Sequence, residues 1–400
     1  MINLEPTNKM NQVKGSMNGM AKGILRPIAR KYDEQEHEAP KELDMFRSIK
    51  IMNRSKKKKE GEEKKADAPS GGGKKLGSNL AMVISIEEMC WGDLGLVLSL
   101  PNAGLGNAAI VAVATDEQFE RFGSKWASMA ITEPGSGSDS GSITATAKLD
   151  GNEWVLNGEK IFVTCADRCD IAVIWATVDK KAGKSGIKSF IVEKGTPGFS
   201  LDKLEHKLGI RASDTGTYVL QDCRIPKENI LGSAEVKQTT EGFKGVMKTF
   251  DNTRPLVASM ALGVSRAAIE FTKEKIEESG ITLDYNANPN NCSSLEKEFY
   301  LMEANNEAMR LLTWRAAWMM DNGEFNNTEA SMAKAKSGRY GTLICQKCCE
   351  LLGPLGISCE NLTEKWMRDV KICDIFEGTG QVQHLIVARN VLELSSKQLK

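Results

Sequence analysis

A carboxylate followed by glycines near the C-terminus is the part of this sequence best suited to chemistry. Glu377 follows a short apolar approach and directly precedes Gly378-Thr379-Gly380. Glycines let a ligand come close to the backbone, and Thr379 is placed to cap the helix that follows. A carboxylate with apolar neighbours at a helix entrance can serve as a general base with a shifted pKa. From this stretch alone, a loop acid that caps a helix is the simpler interpretation.

The composition narrows the class of protein. The 400 residues allow two or three compact units. Lys plus Arg equals Asp plus Glu at 53 each, which argues against nucleic acid as the main partner. No apolar run approaches the roughly 18 residues of a membrane span, and the first residues lack signal-peptide features. We therefore expect a soluble, cytoplasmic protein.

The cysteine pattern favours reduced thiols. The ten cysteines include C-x-x-C-C at 345–349 and C-x-x-x-C at 165–169. Zinc needs two such pairs, or one pair with histidines, and the chain has three histidines. We predict buried thiols and no metal site.

Helical and β patterns divide the chain into three regions. Residues 1–127 are predicted to form a helical domain with a mobile Lys-rich segment at 54–78, because that segment has little apolar surface to bury. Residues 128–235 carry strand and turn signals, and residues 236–400 are helical again. The stretch 80–115 predicts two buried helices, within which G-x-G-x-x-A at 104–109 is interpreted as close helix packing.

Local signals give more specific expectations. Asn157-Gly158, between two apolar runs, predicts a hairpin turn. Further strands are predicted at 171–177, 188–192 and 217–220. Long helices are predicted at 247–279, 297–323 and 329–352, with Pro255 near a helix entrance.

The start of the β region is rich in hydrogen-bonding groups. The loop from Met129 to Asp139 has hydroxyls at Thr132, Ser136 and Ser138, and its glycines expose backbone N–H groups. Such a loop suits the polar edge of a ring or a phosphate. An ordinary Ser/Gly loop would have the same composition.

Several motifs in one register resemble the acyl-CoA dehydrogenase family. The resemblance covers most of the chain from about 80 to 394. The motifs are T-E-P-G-S-G-S-D at 132–139, F-V-T at 162–164, R-A-S-D-T at 211–215, F-D-N-T-R-P at 250–255, L-L-G-P-L-G at 351–356, W-M-R-D at 366–369 and F-E-G-T-G-Q at 376–381. The resemblance implies an α+β, mainly α fold. Its parts are an N-terminal helical domain, a middle β-barrel-like domain and a C-terminal four-helix bundle.

The family implies FAD-dependent α,β-dehydrogenation of an acyl-CoA thioester to a trans-2-enoyl-CoA, within fatty acid and lipid metabolism. Glu377 resembles the catalytic base that removes the α-proton, and flavin N5 would accept the hydride. The implied substrate-binding residues are Ser138, Asp251, Arg254 and Gly378. The implied cofactor-binding residues are Met129, Ile131, Thr132, Gly137, Ser138, Phe162, Val163, Thr164, Glu350, Leu351, Gly353, Pro354, Thr379 and Gln381.

The position of the base distinguishes two arrangements within the family. Some relatives carry their catalytic glutamate directly before the arginine of the T-R-P motif, where this chain has Thr253. The glutamate in F-E-G-T therefore indicates the short- and medium-chain arrangement.

In the family, the thioester oxygen accepts hydrogen bonds from the backbone N–H of the catalytic glutamate, here Glu377, and from a flavin hydroxyl, which stabilises enolate-like charge.

Three departures from the family pattern stand out. The basic R-x-x-F-G motif that grips the FAD pyrophosphate across a dimer is absent from 277–285. Glu350 and Pro354 replace a usual glutamine and glycine. The Lys-rich segment at 54–78 replaces a Gly-rich apolar one, and the stretch between 117 and 130 is shortened. The Lys-rich segment and the shortened stretch both lie near the expected acyl pocket.

Three functional hypotheses follow. The first is a dehydrogenase that passes electrons to an electron-transfer flavoprotein and forms a homo-oligomer, either dimer or tetramer. The second is an acyl-CoA oxidase that uses O₂. The third is a non-catalytic thioester-binding partner subunit, which the carboxylate at Glu377 argues against.

Overall fold

The computed structural model describes residues 7–47, 77–101, 104–236, 241–395 and 398, and side chains at 241–252 are not part of that description. Most of the Lys-rich segment predicted to be mobile, 54–76, therefore lies outside the described residues. Within the described ranges, no helix is both long enough and apolar enough to cross a membrane.

Short helices form the N-terminal region. They are α1 Asn8–Met20, a π-helical turn Ala21–Leu25, α2 Arg26–Glu34, a 3₁₀ helix Lys41–Phe46, α3 Ser78–Gly92, α4 Leu94–Leu98, α5 Leu105–Val113 and α6 Asp116–Phe122. The prediction of two helices over 80–115 was wrong. Three form in the described part of that stretch, because Asp93 breaks the run and caps α4, its Oδ1 accepting from the Leu96 amide at 2.8 Å.

The glycines at the start of α5 serve close packing, as predicted. A Cβ at Gly106 would lie 2.3 Å from the carbonyl oxygen of Ser128 and 2.4 Å from that of Ala127. Only glycine lets the helix rest directly on the first strand.

In the described part of the chain, seven strands form one curled sheet. They are β1 Ala127–Ala130, β2 Thr146–Asp150, β3 Glu153–Thr164, β4 Ile171–Thr177, β5 Ile187–Glu193, β6 Phe199–Leu204 and β7 Thr215–Pro226. The order is β1-β4-β2-β3-β7-β6, with β5 paired to the other edge of β4. The strands predicted at 171–177, 188–192 and 217–220 are confirmed, and their alternating side chains fill an apolar core around Trp154, Phe190 and Tyr218.

The predicted hairpin at Asn157-Gly158 was wrong. Both residues lie inside the continuous strand β3, at a register shift against β7 between Leu156 and Gly158. Gly158 has φ +145° because the backbone bulges there, and a Cβ would meet Ala145 at 2.6 Å. The turn lies instead at Gly151, φ +60°, between β2 and β3.

Long helices, followed by shorter ones, form the C-terminal region. They are α7 Glu241–Glu278, α8 Ser294–Asp321, α9 Asn327–Leu352, α10 Pro354–Ile357, α11 Thr363–Val370 and α12 Gly380–Val391. The three predicted long helices correspond to α7, α8 and α9, which pack on one another, and α7 and α8 also pack on α3. Pro255 lies inside α7, so the prediction of a nearby helix entrance was wrong.

A buried ionic cluster joins α11 to the N-terminal helices and to the loop before β7. The Lys365 ammonium contacts the Asp93 carboxylate and lies 2.5 Å from Asp369. Asp369 also accepts from the Ile210 amide at 2.6 Å. Since α11 continues through a 3₁₀ turn, Lys371–Asp374, to Glu377, this cluster fixes the approach to the F-E-G-T motif.

Candidate active site

The backbone around Glu377 forms a strained turn. Glu377 has φ +55° and Gly378 has φ +89°, so two consecutive residues lie in the left-handed region. That conformation is unfavourable for glutamate and ordinary for glycine. Thr379 then caps α12, its Oγ1 accepting from the Val382 amide at 3.3 Å, as the sequence predicted. The turn therefore presents the Glu377 side chain at the entrance of a helix.

The carboxylate of Glu377 is buried although the residue as a whole is partly exposed. Its Oε2 is buried and has no hydrogen-bond partner among the residues that the structure describes. Burial is the main influence and raises its pKa above the ordinary value of a glutamate. A hydrogen bond from Thr253 and the positive charges of Lys334 and Arg254 act in the opposite direction. This is the environment of a carboxylate that can take up a proton.

Thr253, the alternative base position within the family, lies on α7 and is buried beside Glu377. A carboxylate at either position would therefore face the same space. Its neighbour Arg254 is also buried, and its Nη1 donates to Ser331 Oγ at 3.4 Å. Asp251 lies in the same helix, at a position whose side chain is outside the described residues.

Sequence reasoning did not find Lys334. This residue lies on α9, is 1% exposed, and its ammonium group donates to the carbonyl oxygen of Gly378. Burial lowers the pKa of Lys334 to about 8, while the nearby acids, Glu377 among them, favour its charged form. The sequence contains one signal for a buried lysine here. Lys334 lies four residues after Ala330 and four before Gly338, so all three share the packed face of α9.

A second group of predicted residues meets at the edge of the β sheet. The Ile161 amide donates to the Thr132 carbonyl at 2.9 Å, which brings the 132–139 loop alongside the end of β3. Phe162 has φ +57° at a second register shift of that strand, and it is 61% exposed. An exposed aromatic ring on a strand end that is hydrogen-bonded to the 132–139 loop offers a flat apolar surface near a loop rich in polar groups.

A buried ion pair fixes this loop, and sequence reasoning did not find it either. Lys160 Nζ lies 2.7 Å from Glu133 Oε1 and 3.1 Å from the Ile131 carbonyl, with Lys160 0% and Glu133 4% exposed. Glu133 also accepts from the Thr144 amide at 2.6 Å, the Thr144 hydroxyl at 2.7 Å and the Ala145 amide at 2.9 Å. The glutamate of T-E-P-G thus shapes the loop from inside.

The other predicted residues of the β region are divided between core and surface. The Val163 side chain packs in the sheet core, so only its backbone can contact a ligand. Met129 and Ile131 are partly buried against Trp175, and Thr164 is partly exposed. Gly137 and Ser138 are exposed.

The predicted segment 350–354 lies apart from Glu377. Glu350 is 16 residues beyond Lys334 on α9, which is roughly 24 Å along a helix. Its carboxylate lies 2.5 Å from Lys347 and its side chain is 63% exposed. Pro354 begins the short α10 after Gly353, φ +54°. Leu351 is partly buried and Gln381 is exposed at the start of α12. A cofactor role for 350–354 stays a prediction.

The ten cysteines are free thiols, and eight of them are buried. Among the described residues, one group could offer ligand atoms to a metal: Glu36, His37 and His206, whose candidate atoms lie within 4.8 Å of one another. Lys207 Nζ is 3.9 Å from the Glu36 carboxylate and already supplies a positive charge there.

The comparisons with known proteins agree with the geometry. Residues 128–223 match the middle domain of acyl-CoA dehydrogenases, and residues 240–392 match their C-terminal domain. The chain is 35% identical over 321 residues to the mitochondrial short-chain specific acyl-CoA dehydrogenase of Rattus norvegicus, covering 78% of this chain and 76% of the relative. It is 35% identical over 329 residues to subunit CarC of the caffeyl-CoA reductase–Etf complex of Acetobacterium woodii, covering 79% and 83%.

The solved structure of butyryl-CoA dehydrogenase from Megasphaera elsdenii superposes with a TM-score of 0.82 at 28% identity, covering 98% of this chain and all of the other. The chain belongs to the acyl-CoA dehydrogenase family and is an oxidoreductase. The predicted family and its fold class are confirmed.

Proposed function

We propose that this protein catalyses the α,β-dehydrogenation of an acyl-CoA thioester to the trans-2-enoyl-CoA, with Glu377 as the base. The observation that carries the proposal is the buried Oε2 of Glu377, which sits on a turn within the family's catalytic motif and finds no hydrogen-bond partner in the described part of the chain. An orphaned carboxylate oxygen is costly unless a ligand engages it, and an α C–H group next to a thioester would do so.

The proton balance follows from the surroundings of Glu377. The α C–H bond breaks, its proton moves to a carboxylate oxygen, and the electron pair forms the new C=C bond as the β-hydrogen leaves with two electrons. Burial raises the proton affinity of the carboxylate, while Lys334, Arg254 and Thr253 keep a fraction of it ionised before reaction. The backbone N–H of Glu377 is the proposed donor to the thioester oxygen.

FAD fits the edge of the β sheet and, when bound, would supply the acceptor for the β-hydrogen and its two electrons. The exposed ring of Phe162 suits a flat isoalloxazine face, and the hydroxyls of Thr132 and Thr164 suit its polar edge. The ion pair of Glu133 and Lys160 keeps the loop in place. Within 277–285, neither arginine nor phenylalanine is present, so a cross-subunit grip on the pyrophosphate would need other residues.

An electron-transfer flavoprotein is the proposed electron acceptor, and the protein is proposed to work as a homo-oligomer. The support is the relative CarC, which is named as a subunit of a complex with Etf. The relatives named for short-chain and butyryl substrates favour a short acyl group. Mixing the reduced protein with flavoprotein or with O₂ distinguishes a dehydrogenase from an oxidase by the rate of flavin reoxidation.

The visible spectrum of the purified protein tests the proposal. We expect a yellow protein that saturated acyl-CoA thioesters bleach anaerobically, with short chains fastest. A colourless protein that binds no added FAD would contradict the proposal. A yellow protein that no member of a panel from C4 to C16 bleaches would contradict the assigned reaction.

A further inference from the structure

We propose that Lys334 is a positioning residue for the catalytic base: its ammonium group fixes the Glu377-Gly378 turn and lends positive charge to the ionised carboxylate. The inference rests on the proposed function of Glu377 and adds a second residue to it. Lys334 would touch neither substrate nor cofactor.

The first support is the place of the ammonium group. Lys334 is 1% exposed on α9 and donates to the Gly378 carbonyl oxygen, one residue beyond the base. A buried ammonium group is costly unless its hydrogen bonds and charge are matched. A neutral side chain would pack here at lower cost, so a lysine at this position suggests a role for its charge.

The second support is the unusual turn that the lysine contacts. Glu377 and Gly378 both have positive φ. Gln383, fully buried on α12, donates from Nε2 to the Gly378 carbonyl at 3.1 Å and to the Glu377 carbonyl at 3.4 Å. Two donors from two helices therefore converge on one carbonyl oxygen. This convergence keeps a strained backbone in a single conformation and orients the carboxylate attached to it.

The third support is the set of charges facing Glu377. Lys334 on α9 and Arg254 on α7 are the cations that act on it. The 3₁₀ turn before the motif adds Asp374 and the buried thiol of Cys373, which act on Lys334 together with Glu377. From α12, the contact with the turn comes from the neutral Gln383. Removing Lys334 would leave Arg254 as the cation nearest to the base in this set.

The experiment is the pH dependence of anaerobic flavin bleaching by butyryl-CoA, measured by stopped flow on the full-length flavoprotein. Lys334→Met removes the charge and the donor, and Lys334→Arg retains the charge. The acid limb of the pH profile, where the bleaching rate rises with pH as the base ionises, should move to higher pH by about one unit in Lys334→Met. A nearby opposite charge lowers a carboxylate pKa by about one unit or more, and this variant removes that charge. The arginine variant should keep the acid limb close to that of the wild type.

Lys336→Met is the matched control on the same helix. Lys336 is partly exposed, donates to Asn305 Oδ1 at 3.2 Å and lies over the Tyr340 ring. The Lys336→Met variant should leave both the bleaching rate and the acid limb of the pH profile unchanged. Flavin content and urea unfolding of each variant show whether a change comes from loss of cofactor or of fold.

Gln383→Leu tests the hydrogen bonds apart from the charge, whether or not the Lys334 variants fold. It should slow bleaching about fivefold, the equivalent of one hydrogen bond, and leave the acid limb in place. An unmoved acid limb in a folded, flavin-loaded Lys334→Met protein would overturn the charge role. An unchanged plateau rate in both Lys334→Met and Gln383→Leu would overturn the turn-fixing role.

The role of Glu377 as base and the role of Lys334 are tested separately. If Glu377→Gln still bleaches, the proposed function is wrong and Lys334 has no base to position. If Glu377→Gln is inactive while both Lys334→Met and Gln383→Leu match the wild type, only the present inference is wrong.

Discussion

The buried pair of Lys160 and Glu133 gives the sharpest stability prediction. Glu133→Gln should destabilise the protein by about 3–5 kcal/mol, because it leaves the Lys160 ammonium buried without its counter-ion. Lys160→Met should cost less, about 2 kcal/mol, since the Glu133 carboxylate keeps three donors from Thr144 and Ala145. The double variant should lose less free energy of unfolding than the two single variants together, and the difference, their coupling energy, should be about 2 kcal/mol.

Urea unfolding followed by far-UV circular dichroism measures these differences, with flavin content recorded in parallel. Both single variants should also lose FAD, because the pair fixes the 132–139 loop beside Phe162. The matched control is Asp150→Asn, which breaks the exposed pair with Arg224 in the same sheet and should cost less than about 1 kcal/mol. A Glu133→Gln protein as stable as Asp150→Asn, with its full flavin content, would show that the buried pair stabilises neither the sheet nor the 132–139 loop.

Three further predictions follow from individual residues. Phe162→Ser should lower FAD affinity while changing the free energy of unfolding by less than about 0.5 kcal/mol, because the ring is 61% exposed; unchanged flavin binding in a titration would contradict its role. Gly106→Ala should lower the free energy of unfolding by about 1–3 kcal/mol or more, because its Cβ would meet backbone at 2.3 Å. Gly15→Ala in α1, which has open space around it, should be neutral or slightly stabilising in the same urea titration. Because the pKa of Lys334 is about 8 in the folded state against an ordinary 10.5, the unfolded chain binds more protons between those values. The stability of the wild type relative to Lys334→Met should therefore rise with pH through that window, by up to about 3 kcal/mol; a difference independent of pH would contradict a perturbed Lys334.

Much of the architecture could be predicted from the sequence because its signals are local. Apolar periodicity located the long helices and three of the strands, and Thr379 was recognised as a helix cap from its position alone. The errors at Gly158 and Pro255 share a physical cause. A glycine or proline changes the backbone locally, but tertiary pairing decides whether the result is a turn, a bulge or a tolerated break within a helix.

The candidate site could be predicted only in part. Glu377 was found because its motif is short and contiguous. Lys334 lies 43 positions earlier in the chain, and its contact with Gly378 depends on how α9 packs against the final turn. Lys160 and Glu133 were likewise unremarkable until the sheet edge brought them within 2.7 Å. Buried charges that act across elements leave only a weak trace in sequence, such as a lysine on a face of small residues.

The catalytic role of Glu377 is tested most directly by comparing Glu377→Gln with Glu360→Gln, a control that changes an exposed glutamate. Both proteins, loaded with FAD, are mixed anaerobically with butyryl-CoA, and the flavin absorbance is followed. If Glu377 is the base, Glu377→Gln keeps its yellow colour and binds the thioester but bleaches at least about 1,000-fold more slowly, within the range expected for loss of a general base. Glu360→Gln should match the wild type. Bleaching of the Glu377→Gln protein at the wild-type rate would contradict the central claim that this carboxylate removes the α-proton.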